Sequence, residues 1–242
     1  MFVNNEWEFL LRGSEQTLWD LSHQMGSAYF AVYEVTDFWN ECSVGDYRFR
    51  SIYCNNEDDY QFVWQIGYEL VSLFNGACSL FDSNCWKIEI EQLRHGGIRQ
   101  NYYENLDNFG LLGKPDIPEE AVVTEFQKAK TDIRLVLLNK ATEDEGVYLI
   151  LKYFNMEQNW ITYYKIFESV KHLAKEEKIA LSIDRDAYEG FRNVANNYSL
   201  SGIHSRHGFK KNCKENRTSR MTISEAHDFI RDVAKQYIQA KI

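Results

Sequence analysis

Residues 107–120, DNFGLLGKPDIPEE, divide this chain of 242 residues into two parts of different character. The stretch contains both prolines of the chain, Pro115 and Pro118, together with two glycines. Proline restricts the backbone and lacks an N–H donor, and glycine tolerates turns, so this composition interrupts regular structure. We therefore predict a domain of residues 1–110, a linker of residues 111–120 and a second domain of residues 121–242.

Upstream of this stretch the pattern is that of an α/β domain. Strand-like segments such as KIEIEQL at residues 87–93 alternate apolar and polar side chains, and two other segments repeat apolar residues at helical spacing. Gly26 predicts the end of the first helix, and Asn75 with Gly76 predicts the end of the second. The order β, α, β, β, α, β predicts a ferredoxin-like sandwich within an α+β fold. The predicted elements are strands 7–12, 28–36, 47–54 and 87–93 with a return strand at 98–106, and helices 15–25 and 60–73.

Downstream of the stretch the apolar spacing becomes helical. Asp184 precedes one helix as its N-cap, and Thr222 with Glu225 forms a capping-box pattern at the start of the last helix. We predict an all-helical second domain, with helices at residues 119–129, 144–154, 159–175, 185–196 and 222–239 and a short apolar piece at 133–138.

The composition is that of a globular protein, with 44% hydrophobic and 26% charged residues. The chain has no run of about 18 apolar residues, so we predict no membrane span, and its first residues lack the pattern of a secretory signal. The five cysteines are an odd number and form no CxxC pair, which favours free thiols in a reducing compartment. We expect a cytoplasmic protein.

Sequence motifs for several common chemistries are absent. The chain has neither GxxxxGKS/T nor GxGxxG for phosphate binding, and no GxSxG nucleophile elbow. It also has no HExxH, no zinc-type cysteine pairs and no EF-hand loop. We therefore expect no cofactor and no metal.

Charge is distributed unevenly along the chain. Residues 191–220 hold seven Lys or Arg and one Glu, a net charge of +6, whereas the whole chain has a net charge of −9. Residues 1–110 hold six Lys or Arg and seventeen Asp or Glu. A cationic segment in an acidic protein favours a polyanionic partner, so we predict that RNA or another polyanion binds the loop near the C-terminus.

This cationic segment also contains the candidate site. His204, Arg206 and His207 lie between Gly202 and Gly208. Histidine exchanges protons near neutral pH and arginine holds phosphate in a planar fork, so these three are candidate catalytic residues for metal-independent RNA cleavage. In that reaction His207 would be the general acid or base, and Arg206 would stabilise the pentacoordinate phosphate. The candidate binding residues are Arg192, Asn193, Asn197, Lys210 and Lys211.

Two other interpretations stay open. A polar loop between amphipathic helices often serves only to cap helices and to bond backbone carbonyls, and Asn196 with Asn197 can simply end a helix. Alternatively, the protein is a non-enzymatic scaffold that binds a protein partner, or a second copy of itself as a homo-oligomer. The aromatic face around Trp160 and Tyr164 would then be its interface.

The C-terminal half contains a distinctive series of short motifs. They are a Trp-containing helix with Tyr-Lys-Ile-Phe-Glu at 159–168, then Asn196, Asn197 and Gly202, and then Arg206-His207-Gly208. In these features it resembles a helical region of abortive-infection proteins and, more remotely, HEPN modules of bacterial defence systems. The resemblance implies an RNA-associated module of a bacterial antiviral defence or toxin-like system.

HEPN ribonucleases carry an Arg, often followed by Asn, and a His further along the helix, with four to six residues between the Arg and the His. Arg192 and Asn193 fit the start of that motif, but residues 197–199 are Asn, Tyr and Ser. Arg220 and His227 have the required spacing, with six residues between them, although Arg220 precedes the predicted N-cap of the last helix.

Overall fold

The computed structural model shows two compact units, Met1–Tyr148 and Leu149–Ile242, each with its own buried core. The predicted α+β class is confirmed, since the first unit contains a five-stranded antiparallel sheet and the described part of the second is helical. The structure describes residues 3–23, 27–37, 42–81, 86–102, 110–209 and 221–242.

The sheet of the first unit has the order β2-β3-β1-β4-β5, and all neighbouring strands are antiparallel. β1 is central because the segments that follow β1 and β3 are helices, which carry the chain across a strand before it pairs again. The strands are β1 Trp7–Arg12, β2 Ala31–Asp37, β3 Cys42–Arg50, β4 Glu89–His95 and β5 Ile98–Arg99, and the intervening helices are α1 Glu15–His23 and α2 Tyr60–Phe81.

The strand order differs from that of a four-stranded ferredoxin-like sheet because β5 adds a fifth strand beside β4. Alternation along β1 buries Trp7, Phe9 and Leu11 on one face. α2 packs closely on that face at Gly67, where a Cβ atom would come within 2.2 Å of the Phe9 ring.

The second helix extends beyond the predicted end at Asn75 and Gly76. It continues to Phe81, and Asn75 is buried within it. The Asn75 amide donates to the Ile88 carbonyl at 2.8 Å and accepts from the Ile88 N–H at 2.9 Å. Tertiary hydrogen bonds therefore satisfy a residue that would otherwise favour the end of a helix.

Several arginines of the sheet are neutralised within the first unit. Glu8 accepts hydrogen bonds from Tyr33, Arg48 and Arg50, and Arg48 also pairs with Asp46 at 2.6 Å. Burial alone would raise the pKa of Glu8, but these three hydrogen bonds together lower it below its usual value. This face of the sheet therefore offers little free positive charge to a polyanion.

Helices α3 Glu119–Ala129 and α4 Ile133–Ala141 belong to the first unit, although the sequence places them in the second domain. Buried side chains tie them to the segment before β2. The Glu125 carboxylate accepts from the Ala28 N–H at 2.6 Å, and Ser27 donates to Asn139 at 3.1 Å. For this reason the division between the compact units falls within α5 Glu145–Asn155, after the segment 111–120 that the sequence suggests.

In the second unit, α6 Trp160–Glu176 packs beside α9 Ile223–Gln239. Asn159 caps α6, and Thr222 and Glu225 form the predicted capping box at α9. Between them lie α7 Arg185–Asn196, the short helix α8 Tyr198–Ser201 and a 3-10 turn at Gly202–His204.

The aromatic face proposed as an interface lies in the core of this unit. Trp160 and Tyr164 are buried, and their rings lie 6.1 Å and 5.9 Å from that of Phe191. These side chains are therefore not free to meet a partner.

Among the described helices, none combines the length and the apolarity that crossing a membrane requires.

Candidate functional site

Helix α7 positions the first group of candidate residues. Asp184 caps the helix by accepting from the Ala187 N–H at 2.7 Å, and Phe191, Val194 and Ala195 face the core. The other face of the helix carries polar side chains, as an amphipathic surface helix does.

A groove with a volume of about 560 Å³ runs along the polar face of α7. It brings together three of the predicted binding residues and adds two carboxylates that the sequence analysis did not assign to the site. Its lining consists of Asp186, Glu189, Gly190, Arg192, Asn193, Asn196 and Asn197.

The charges in this groove are mixed. The Arg192 guanidinium pairs with the Glu189 carboxylate at 2.8 Å and lies 5.7 Å from the centre of the Tyr188 ring. Asp186 adds a second negative charge. A phosphate in the groove would therefore meet carboxylates as well as the guanidinium, so the groove alone is poorly suited to a polyanion.

The paired amides at the end of α7 shape the backbone. The Asn197 amide donates to the backbone carbonyl of Asn193 at 2.6 Å and to its side-chain oxygen at 2.9 Å. Asn197 itself has an extended backbone, which ends the helix. The Oδ1 atom of Asn196 is buried and has no hydrogen-bond partner among the described residues. Asn197 thus has the helix-ending role that the sequence analysis left open for Asn196 and Asn197, and Asn193 accepts its hydrogen bonds.

The loop that follows α8 turns back onto the end of α7. Gly202 adopts a φ of 60°, a conformation that glycine accepts readily. The Ser201 hydroxyl donates to the Val194 carbonyl at 2.8 Å, and the Arg206 N–H donates to the Ala195 carbonyl at 2.8 Å. Ser205 is buried between these contacts. The loop is therefore anchored at residues 201, 205 and 206.

Arg206 is bound within the second unit. Its guanidinium lies 4.0 Å from the centre of the Tyr164 ring, and its Nη2 atom lies 3.2 Å from a carboxylate oxygen of Glu168. Its side chain nevertheless stays 37% exposed. The sequence could not reveal these two partners because both lie on α6, about forty residues earlier in the chain.

The two candidate histidines are at the surface. His204 ends the 3-10 turn, and His207 follows Arg206, with its N–H donating to the Ser205 hydroxyl at 3.3 Å. Both are exposed, and neither lines the groove along α7. The structure thus groups Arg192, Asn193 and Asn197 in one groove and places His204 and His207 on the adjoining loop. The candidate residues Lys210 and Lys211 lie outside the described residues.

Comparison with protein-family models, with curated proteins and with solved structures found no match to this chain.

In the pair Arg220 and His227, which has the spacing of the HEPN motif, the histidine is buried. His227 is only 5% exposed, and its Nδ1 lies 2.9 Å from the Tyr163 hydroxyl. That hydroxyl donates to Gln158 at 3.0 Å, so we assign the Nδ1 proton of neutral His227 to the bond with Tyr163. A substrate has no direct access to this imidazole. Arg220 lies outside the described residues.

Apolar exposure around the loop is a feature that the sequence analysis missed. Ile203 is 80% exposed and Phe209 is 68% exposed. The Phe209 ring meets the Tyr198 ring in a T-shaped contact, with 5.2 Å between centroids. The available signal was an aromatic residue, Phe209, that follows Gly208 and directly precedes two lysines. Within the described residues, no three His, Cys, Asp or Glu side chains are grouped so that they could hold a metal ion.

Proposed function

We propose that this protein is an RNA-associated module of a bacterial defence or toxin-like system that acts in the cytoplasm. The observation that carries the proposal is the exposed loop with His204 and His207, which leads directly into residues 210–220. Those eleven residues hold five Lys or Arg and one Glu, in a chain with a net charge of −9. Such a local excess of cations attracts the phosphates of a nucleic acid. The bacterial context rests on the resemblance to abortive-infection and HEPN modules.

In this proposal the residues have different tasks. Lys210 and Lys211 supply charge for phosphates, and His204 and His207, a few residues earlier in the sequence, lie at the surface. Arg206 anchors the loop through Tyr164 and Glu168, and its exposed edge adds positive charge. Binding of a phosphate to Arg206 competes with Glu168, so we expect Arg206 to contribute less than its charge suggests.

The electrostatic part of the proposal is tested by the salt dependence of RNA binding. We expect wild-type affinity to fall steeply with salt, because bound phosphates release counterions. The double variant Lys210→Ala/Lys211→Ala should bind more weakly and show a shallower salt dependence, by about 0.7 in logarithmic slope for each lysine that contacts a single strand. Fluorescence anisotropy with a labelled RNA at several salt concentrations measures both quantities.

A matched control comes from α6, where Lys171 and Lys175 are exposed. Lys171→Ala/Lys175→Ala removes the same charge and should leave the salt slope unchanged. Equal effects of the two double variants would mean that net charge alone drives binding, and the loop would lose its special role.

The same protein also tests the catalytic form of the proposal. Total RNA is incubated with wild type and with His207→Ala in the presence of EDTA, since the expected chemistry needs no metal. An essential general acid or base typically contributes about 10²- to 10⁴-fold, so the variant should cleave at least about 100-fold more slowly. Equal cleavage by both proteins would remove His207 from catalysis and leave only the binding role.

A non-enzymatic protein interaction is the second candidate function. The exposed Ile203 favours it, because exposed apolar side chains in a cluster are typical of interaction surfaces. The burial of Trp160 and Tyr164 moves this candidate away from the aromatic face and onto the loop. Solution mass measurements on wild type and Ile203→Ala test it. Self-association of wild type that is lost in Ile203→Ala would support a protein contact of the loop.

We also propose that the first unit is a ferredoxin-like unit extended by one strand. The support is that β1 lies between β3 and β4 and is antiparallel to both, with β2 beyond β3. α1 and α2 provide the two crossovers that such a unit requires.

A further inference from the structure

We infer that the loop binds single-stranded nucleic acid by stacking an unpaired base on Phe209, with Tyr198 supporting the ring. This inference rests on the proposed function and specifies which form of RNA the site takes. It also assigns a role to two aromatic residues that the charge argument does not use.

The first support is the geometry of the two rings. Phe209 is 68% exposed, and its only described ring contact is with Tyr198, at 5.2 Å and an interplanar angle of 68°. A T-shaped contact occupies at most one face of the Phe209 ring. At least one face therefore remains for a planar base.

The second support is that the ring is attached to a fixed part of the loop. Arg206, three residues earlier, is held by the Ala195 carbonyl, the Tyr164 ring and the Glu168 carboxylate. Tyr198 begins α8, whose end is tied back to α7 by Ser201. Because the chain is anchored three residues before Phe209 and three residues after Tyr198, binding orders few additional residues.

The third support is the composition of the neighbouring sequence. His204 and His207 are exposed on the same loop, and residues 210–220 continue from Phe209 with a net charge of +4. Proteins that bind single strands combine cations that follow the backbone with aromatic rings that stack on bases. Bases in a duplex stack on each other and are not available to Phe209, so the site favours a single strand.

The test compares a labelled RNA of about 12 nucleotides, a length typical of single-strand sites, with a duplex of the same sequence. We expect wild type to prefer the single strand. Phe209→Ala should weaken single-strand binding roughly 5- to 150-fold, the range for loss of one stacked base, without changing the salt slope. Phe209→Tyr should bind as wild type does, because it keeps the aromatic face.

Two further variants distinguish stacking from apolar contact. Phe209→Leu keeps an apolar side chain but has no ring, so it should behave like Phe209→Ala. Ile203→Ala removes the most exposed aliphatic group of the loop and should have little effect on RNA affinity. If Phe209→Leu retained wild-type affinity, or Ile203→Ala lost as much as Phe209→Ala, the stacking inference would be overturned.

The outcomes also separate this inference from the function on which it rests. Salt-dependent RNA binding that is unaffected by Phe209→Ala would overturn stacking and leave the proposed function in place. Absence of RNA binding by wild type would overturn both. Loss of self-association in Ile203→Ala and Phe209→Ala, with no change in RNA affinity, would assign the loop to a protein contact.

Discussion

Arg206 makes contacts through its backbone, its guanidinium face and its guanidinium edge. A cation–π contact at an exposed site is worth about 0.5–1 kcal/mol, and an exposed ion pair about 0–1 kcal/mol. With 37% of its side chain exposed, Arg206 therefore stabilises the whole protein little. Its contacts with Tyr164 and Glu168 instead determine where the loop carries His207 and Phe209.

Protonation of His227 is the residue-scale event with the clearest consequence for stability. Burial lowers the pKa of His227 below its ordinary value of 6.5, and the positive charges of Arg231 and Lys235 lower it further, against the opposing effect of Asp228. Its Nε2 atom is buried without a hydrogen-bond partner among the described residues. A proton on that atom would thus be a buried charge without an acceptor.

The sign of the pH dependence follows from this lowered pKa. As pH falls below about 6.5, the unfolded state takes up the proton before the folded state does, so the free energy of unfolding decreases. The loss is complete once pH passes below the pKa of folded His227. Each unit by which that pKa is lowered corresponds to about 1.4 kcal/mol.

We therefore predict that His227→Asn is less stable than wild type at pH 8 and that the difference narrows toward pH 5. The Asn amide can still reach the Tyr163 hydroxyl but does not titrate. Urea unfolding at a series of pH values gives both free energies. A difference that stayed constant with pH would show that His227 titrates alike in the folded and unfolded states.

At the scale of elements, the contact between α2 and β1 depends on Gly67. A Cβ atom at this position would lie 2.2 Å from Cε1 and 2.7 Å from Cδ1 of Phe9. The Phe9 ring is fully buried and stacks on Phe49 at 4.4 Å, so it has little room to move. Overpacking of this kind costs about 1–3 kcal/mol, whereas alanine improves helix propensity by only about 1 kcal/mol.

We predict that Gly67→Ala lowers the free energy of unfolding by up to about 2 kcal/mol, the overpacking cost less the gain in propensity. Urea unfolding measures the change. Gln61→Ala is the matched control, since Gln61 is exposed on the same helix and its replacement should change stability by less than about 0.5 kcal/mol. A stabilised Gly67→Ala variant would mean that the sheet can shift away from α2 at low cost.

The sequence predicts the start of a helix correctly where the capping residue is adjacent to that helix in the chain. Asp184 and Thr222 with Glu225 cap their own helices, and α7 and α9 begin where these residues predict. The predicted end of α2 at Asn75 was wrong because the Asn75 amide forms its hydrogen bonds with the backbone of Ile88, outside the helix. The strand predicted at 47–54 was also shifted, since β3 is Cys42–Arg50 and the following residues Ile52–Cys54 form a 3-10 turn.

The same distinction holds for the candidate site. Asn193 and its C-cap residue Asn197 are four residues apart, so their place in one groove follows from the helical spacing of α7, and Arg192 is the residue next to Asn193. The capture of Arg206 by Tyr164 and Glu168 depends on how α6 packs, which no local pattern encodes. The exposure of Phe209 likewise depends on the absence of described side chains packed over it, and only the folded chain reveals this.

In the whole molecule, excess positive charge is local to one segment, whereas buried cores occur in both units. The chain is acidic, with a net charge of −9 and a pI of about 5.2, whereas residues 210–220 hold five Lys or Arg and one Glu. Repulsion by the acidic remainder discourages a polyanion from binding elsewhere, which increases the selectivity of the cationic segment. Each unit, in contrast, has its own buried core, and Gly67 and His227 belong to different units.

Because each unit has its own core, we predict that each of the two stability variants loosens mainly the unit in which it lies. Hydrogen exchange followed by mass spectrometry should show faster exchange in peptides before residue 144 for Gly67→Ala, and in peptides after residue 156 for His227→Asn. Peptides within α5 are set aside because the division between the units falls in that helix. Wild type at the same pH supplies the reference rates, and Gln61→Ala checks that substitution itself has no effect. Equal acceleration in both units for either variant would show that the two cores open together as one cooperative unit.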